Sequence, residues 1–437
     1  MATDNAAAPI AVAAQRLSRG RRLAWAAAFV SLTALVGGGL WTQSGLTRGR
    51  THLANHSYPA ARAALRRYLW LHPGDSDARA ALADAWALDD ELDPDVAAER
   101  AIAELQRIPD DAPGAAAART LEGRLAFLIL RRPTAAERLF QRSIELQPDQ
   151  FDAHYLLWKL YDMTERYFSS EPAFWAAYER TPPADRAVRL REWFLSQFAP
   201  FSACAELDGL MGFRSPNQPT DEVVALGRLE SFKSQEPQSP MLIAAIAQWC
   251  LRNDQPGEAL AELESLKDSA ADRTDRFYVA ALAETLVQLG QYERAEEVFT
   301  AWPLPDDRYA YWRIAGIIEQ DVRQDHARAI ECYDRALELW PGPSDWQTMR
   351  RKAHCLARAG DAAGAEALRT RAQLIEDQME LELHQRLREA LSRLDDPAGL
   401  ERIAEFYETL KRPREAAEWR QVIGRIEPRA GTPEDVR

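Results

Sequence analysis

Residues that usually carry chemistry are few in this chain of 437 residues. The four cysteines, Cys204, Cys250, Cys332 and Cys355, form no C-x-x-C pair and keep no metal-ligand spacing with histidine. No H-E-x-x-H, G-x-S-x-G or glycine-rich phosphate loop occurs, so no familiar hydrolase, zinc-protease or nucleotide site is indicated. Lysine is confined to Lys159, Lys233, Lys267, Lys352 and Lys411, arginine serving in its place as in a GC-rich gene. The formal charge of −13 argues against nucleic acid, because phosphate binding needs a basic face. Valine- or threonine-rich alternating runs are also missing, which removes the signature of a sheet. Alanine, leucine, glutamate and arginine dominate instead, and all favour helices.

What is present is a beat. Five times an alanine is followed twelve residues later by a proline: Ala61–Pro73, Ala97–Pro109, Ala136–Pro148, Ala329–Pro341 and Ala416–Pro428. Between Ala136 and Pro148, Leu139, Phe140, Ile144 and Leu146 recur at helical spacing and form one apolar stripe. The proline ends the helix, since it lacks a donor and disfavours helical geometry in the residue before it. The alanine permits a second helix to approach within about 8–10 Å. That partner helix offers its own alanine twelve residues upstream, as in Ala247 before Ala259, Ala283 before Ala295, Ala353 before Ala365 and Ala404 before Ala416. Leu289-Gly290-Gln291-Tyr292 and Ala359-Gly360-Asp361 mark turns between the two helices.

Marker alanines follow one another at 36 residues (61 to 97), 39 (97 to 136), 36 (259 to 295), 34 (295 to 329) and 36 (329 to 365). A two-helix unit of this period resembles the tetratricopeptide repeat family. Residues 274–305 match through Ala283, Gly290, Tyr292, Ala295 and Phe299, and 308–341 through Trp312, Gly316, Ala329, Tyr333, Ala336 and Pro341. The resemblance implies an all-α fold, an α-solenoid of antiparallel helix pairs in a right-handed superhelix. Its concave side, lined by the first helix of each pair, would hold peptides or extended segments of protein partners. A chaperone-tail clamp is not expected, because such clamps use asparagines and this chain has only Asn5, Asn55, Asn217 and Asn253.

Two stretches depart from the pattern. From Ala136 to Ala259 the markers fade over 123 residues, and there thirteen aromatics crowd between Phe151 and Phe201. They either fill gaps between irregular helices or line a partner groove, with Tyr161, Tyr167 and Trp175 as the candidate contacts, since aromatic residues make anchor sites. From Ala365 to Ala416 there is about half a unit too much, read as an extra helix over 375–394 that shifts the superhelix, caps a repeat or pairs between chains.

Residues 23–41, LAWAAAFVSLTALVGGGLW, are apolar and bounded by Trp25 and Trp41. Nineteen helical residues span about 28 Å, near a bilayer's hydrocarbon thickness. Arg16, Arg19, Arg21 and Arg22 precede the run, against Arg48 and Arg50 after it, which directs the N-terminus to the cytoplasm. A cleaved signal, a buried helix of the array or the reverse orientation are the alternatives.

The expected organisation is therefore a cytoplasmic tail (1–22), a transmembrane helix (23–41), repeats over 45–149, irregular aromatic-rich repeats over 150–240, well-matched repeats over 241–374, the extra helix (375–394), a last repeat (395–428) and a disordered tail (429–437). The expected function is a non-enzymatic, membrane-anchored bacterial scaffold that binds proteins and assists assembly or maturation in the envelope. Its array would lie on the extracytoplasmic side of the inner membrane, and no cofactor, metal or catalytic residue is expected. An enzyme with its site in 150–240 and a self-associating structural protein are the alternatives. His52 and His56, four apart, would share a helix face but lack a third ligand, and Asp89-Asp90, Asp110-Asp111 and Asp395-Asp396 read as solvated turn residues. Cys332 and Cys355, in adjacent helices, are the pair placed for a disulfide in an oxidising compartment.

Overall fold

A computed structural model describes residues 45–198, 222–266, 275–339 and 341–426. The apolar run 23–41, Phe201, Cys204 and the tail 429–437 lie outside them. Among the described residues there is no strand, and no helix is long and apolar enough to cross a membrane. The chain divides into two compact units, Met1–Leu125 and Ala126–Arg437.

In the first unit a helix covering residues 45–54 (α1) precedes α2 (Tyr58–Leu71), α3 (Ser76–Ala87), α4 (Pro94–Leu105) and α5 (Ala115–Leu128), the boundary falling within α5. The second unit continues with α6 (Pro133–Leu146), α7 (Phe151–Met163), α8 (Tyr167–Glu179), α9 (Arg186–Gln197), α10 (Glu222–Gln235), α11 (Pro240–Arg252) and α12 (Pro256–Glu264). Then come α13 (Arg276–Gln288), α14 (Tyr292–Thr300), α15 (Tyr309–Ile317), α16 (His326–Glu338), α17 (Trp346–Arg358), α18 (Ala362–Asp377), α19 (Leu381–Leu391), α20 (Pro397–Thr409) and α21 (Pro413–Ile423).

The marker alanines owe their regularity to one recurring turn. Ala61, Ala136, Ala259, Ala295, Ala329, Ala365 and Ala416 are buried, and each closes the first i→i−4 bond of its helix, at 2.9–3.3 Å. Five residues before each stands a residue with positive φ: His56, Arg131, Asp254, Gly290, Gln324, Gly360 and Lys411. The next amide donates to a carbonyl five or six residues back, as in Gln291 to Leu286 (2.8 Å) and Arg412 to Tyr407 (2.9 Å). This left-handed termination satisfies the orphan carbonyls of the first helix and aims the second helix back along it. Proline at the first helical position, in Pro133, Pro256 and Pro413, fixes the new direction. Ala97 is buried in the same role but is entered through an Asp93 side-chain cap instead.

Close helix crossings rest on small residues. A Cβ at Gly316 on α15 would fall 2.4 Å from the Tyr333 ring on α16, and Tyr333 is fully buried. Neighbouring helix pairs are also cross-linked by ion pairs between residues 29 or 30 apart: Arg166–Glu137 (2.9 Å), Lys233–Glu262 (2.5 Å), Arg294–Glu264 (2.7 Å), Arg313–Glu284 (2.7 Å) and Arg351–Asp321 (2.8 Å). Only Arg294–Glu264 is well exposed, where such a pair contributes roughly 0–1 kcal/mol, and the other four are half-buried between the elements they join.

Several expectations are corrected. Residues 375–394 are not one helix: α18 runs to Asp377, and α19 begins at Leu381 after a turn. Leu387 and Leu391 are buried within the second unit and Leu383 and Leu394 are half-buried against its core, so most of the leucine face of α19 is already packed. Cys332 and Cys355 are free and buried, as is Cys250, and burial pushes both Cys332 and Cys355 up to about 11. His56 sits in the positive-φ turn after α1 and so does not share a helix face with His52. Asp89 is buried and paired with Arg62 rather than solvated, because the turn after α3 folds back onto α2.

Candidate interaction surface

The faded stretch contains a regular repeat in disguise. Glu165 has positive φ, the Arg166 amide donates to the Tyr161 carbonyl at 2.8 Å, and five residues past Glu165 stands Ser170, buried. Ser170 lies 34 residues after Ala136 and twelve before Pro182, so it keeps the beat with serine in place of alanine. The signal was there. A search allowing any small residue at the marker position finds it.

The aromatics of α7, α8 and α9 are mostly core. Phe174 stacks on Trp193 at 4.3 Å between centroids, and Trp158 meets Phe174 edge-on at 5.0 Å, all three being buried. Around them is a closed polar cluster. Lys159 Nζ lies 3.3 Å from Glu192 Oε2, off the line of a hydrogen bond, and 3.5 Å above the Trp158 ring. Ser196 donates to Asp162 Oδ2 and accepts from Trp158 Nε1 at 3.3 Å, while Asp162 Oδ1 has no hydrogen-bond partner among the described residues. Burial pushes the Asp162 carboxyl up to about 7, opposed by Lys159, Ser196, Ser170 and Trp158. Burial likewise pulls the Lys159 ammonium down, against Glu192 and Asp162. Perturbed acids in this stretch are what an enzyme would show. Here Lys159, Asp162, Glu192 and Ser196 are all buried, and the cluster ties α7 to α9.

The three candidate anchors each carry an arginine of their own chain. Arg166 lies 4.6 Å from the Tyr161 centroid, Arg252 lies 5.5 Å from that of Tyr167, and Arg414 lies 3.7 Å from that of Trp175. Tyr161 and Tyr167 are half-buried, whereas Trp175 is only 5% exposed. Arg252 also pairs with Glu165 at 2.6 Å and donates to the Tyr167 hydroxyl at 3.2 Å, joining the α7–α8 turn to the end of α11.

Arg414 belongs to the last repeat, and it is not alone there. Tyr178 donates to Glu418 (2.8 Å), Arg414 pairs with Glu179 (2.8 Å), and the Tyr407 hydroxyl and Gln197 amide are 2.8 Å apart. Phe194 faces Phe406 at 5.7 Å and Tyr407 at 6.0 Å, and Phe198 faces His384 at 5.3 Å. Residues more than 180 positions apart thus form one apolar seam. Within the second unit, α8 and α9 are held by α19, α20 and α21. Burial, then Glu418, pushes the Tyr178 phenol up, and burial pulls the His384 imidazole down. None of this was visible in the sequence, because no local signal links Phe194 to Phe406.

The inner helices are closed as well. In α11, PMLIAAIAQWCLR, every residue from Met241 to Ala247 is buried, as are Tyr278 to Ala281, Ala283 and Thr285 to Val287 in α13. A helix buried on every face lines no open groove. The concave surface expected for peptides is filled along the first two turns of α11, whereas α13 keeps Phe277, Leu282 and Glu284 half-buried.

No family model matches the chain, and no curated protein does. Among solved structures, the APC/C hetero-tetramer Cut9–Hcn1 is similar at 12% identity, covering 92% of this chain and 96% of that one, with a TM-score of 0.41. A tetratricopeptide repeat protein from Parabacteroides merdae is similar at 12% identity over 72% of this chain and 98% of its own, with a TM-score of 0.30. Pseudomonas aeruginosa pilF is similar at 14% identity over 52% of this chain and 92% of its own, with a TM-score of 0.25. Likenesses of this size carry no functional argument.

Proposed function

We propose that the protein is a non-enzymatic, tetratricopeptide-type scaffold that binds other proteins, anchored in the inner membrane of a bacterium by residues 23–41 with its repeats on the extracytoplasmic side, and that it assists protein assembly or maturation there. The observation that carries the scaffold reading is the recurring positive-φ turn and buried alanine, which stacks one helix pair on the next as a repeat array does. The apolar run and the arginines before it support the anchor and its orientation. Partner contact is assigned to the half-buried Tyr161 and Tyr167. Trp175 joins them only where Arg414 withdraws from its ring.

Affinity capture of the full chain from detergent-solubilised membranes tests the reading. Proteins enriched over an anchor-only control should be retained less by Tyr161→Ala and Tyr167→Ala, with the helical signal unchanged. No enrichment over that control would sink the scaffold reading. A reporter fused after Arg437 that is active on the cytoplasmic side would overturn the orientation.

A further inference from the structure

Among the described residues the first unit presents an apolar edge that no other element covers, and the chain's path says what meets it. Trp70 and Leu71, at the end of α2, are 82% and 43% exposed. Helices α1 and α2 run antiparallel: a Cβ at Gly49 would fall 2.6 Å from Leu65, and one at Gly45 would lie 3.5 Å from Tyr68 Cβ. The start of the described chain at Gly45 therefore lies beside the last turn of α2, with Trp70 and Leu71 at that same end. Only residues 42–44 separate Gly45 from Trp41, the end of the apolar run, so the chain between them spans at most about 14 Å.

We propose that Trp70 and Leu71, with Arg67 and Arg48, form an edge that rests on an anionic phospholipid surface. This rests on the anchor reading above. If residues 23–41 cross the bilayer, Gly45 emerges within reach of the headgroup layer, and the end of α2 emerges with it. An exposed tryptophan at that level is at its preferred depth, since its ring is apolar and its N–H is polar. Arg67 lies one turn before Trp70 and Leu71 on the same face, and Arg48 lies in the first described turn of α1; both are exposed. The nearby acids are engaged within the unit, Asp75 accepting from Tyr68 (2.6 Å) and Asp77 pairing with Arg50 (3.4 Å). The edge therefore offers apolar surface and positive charge together, the combination that anionic headgroups recognise.

The test uses the full chain reconstituted into vesicles of phosphatidylcholine with or without phosphatidylglycerol. Trp70 is replaced by photoreactive p-benzoylphenylalanine, and in a second protein Leu88 is replaced. Leu88 is 53% exposed at the opposite end of α3, about 18 Å along the helix axis. Lipid adducts several-fold more abundant at position 70 than at 88, and reduced by Arg48→Glu with Arg67→Glu only when phosphatidylglycerol is present, are expected. Equal yields at both positions, in chains that float with the vesicles and resist alkaline extraction, would overturn the edge while the anchor stands. Chains that fail to float overturn the anchor reading and the edge with it.

Discussion

The seam between α9 and α20 makes a prediction that an open array cannot share. In a stacked solenoid each repeat touches its neighbours alone, so residues 212 positions apart, such as Phe194 and Phe406, are energetically independent. Here their ring centroids are 5.7 Å apart and both rings are buried, Phe194 at 1% and Phe406 at 3% exposure. Phe194→Ala removes a packed aromatic and should cost about 3–5 kcal/mol, as should Phe406→Ala. If the rings truly face each other, the double variant loses less than the sum. Edge and offset ring pairs are worth about 0.5–1.5 kcal/mol beyond area burial, and a shared cavity raises the coupling toward about 3 kcal/mol. The four proteins, as full chains in detergent, would be unfolded in denaturant and followed by far-ultraviolet circular dichroism. Each single variant should also open the turns around 378–380 and 392–396 to protease. Additivity within about 0.3–0.5 kcal/mol would refute the closure.

Three further outcomes follow from the packing. Asp162 has its carboxyl raised by burial from 3.8 to about 7, so its contribution to stability is complete below pH about 4 and is lost as pH rises through 7. Asp162→Asn should flatten stability against pH across that window, gaining on the parent by up to about 4 kcal/mol from pH 4 to 8; parallel curves from chemical denaturation would contradict this. Gly316→Ala should lose about 1–3 kcal/mol through collision with Tyr333, and an unchanged melting midpoint would show that α15 and α16 are not so close. Cys332 and Cys355, buried with raised thiol pKa, should react with a maleimide at neutral pH only once denaturant is added; rapid labelling of the native chain would place them at the surface.

The helix pairs were legible in the sequence because what makes them is local. A small residue at a crossing, a proline just past a helix end and a twelve-residue beat act over a turn or two, and the buried alanines sit where the spacing puts them. The turns themselves were less legible, since six of the eight positive-φ residues in this role are not glycine and a lysine or glutamine there carries no mark. The repeat at Ser170 was hidden by a single substitution, and its aromatic neighbours then looked surplus. What those aromatics do was decided only by the tertiary structure. Arg414 over Trp175, Tyr178 on Glu418 and Phe194 against Phe406 depend on the path of some two hundred intervening residues, and burial energy rewards the closed arrangement without leaving a periodic trace. The same holds for Trp70: its place at the end of α2 that lies beside Gly45 follows from two helices lying antiparallel, which spacing alone does not state.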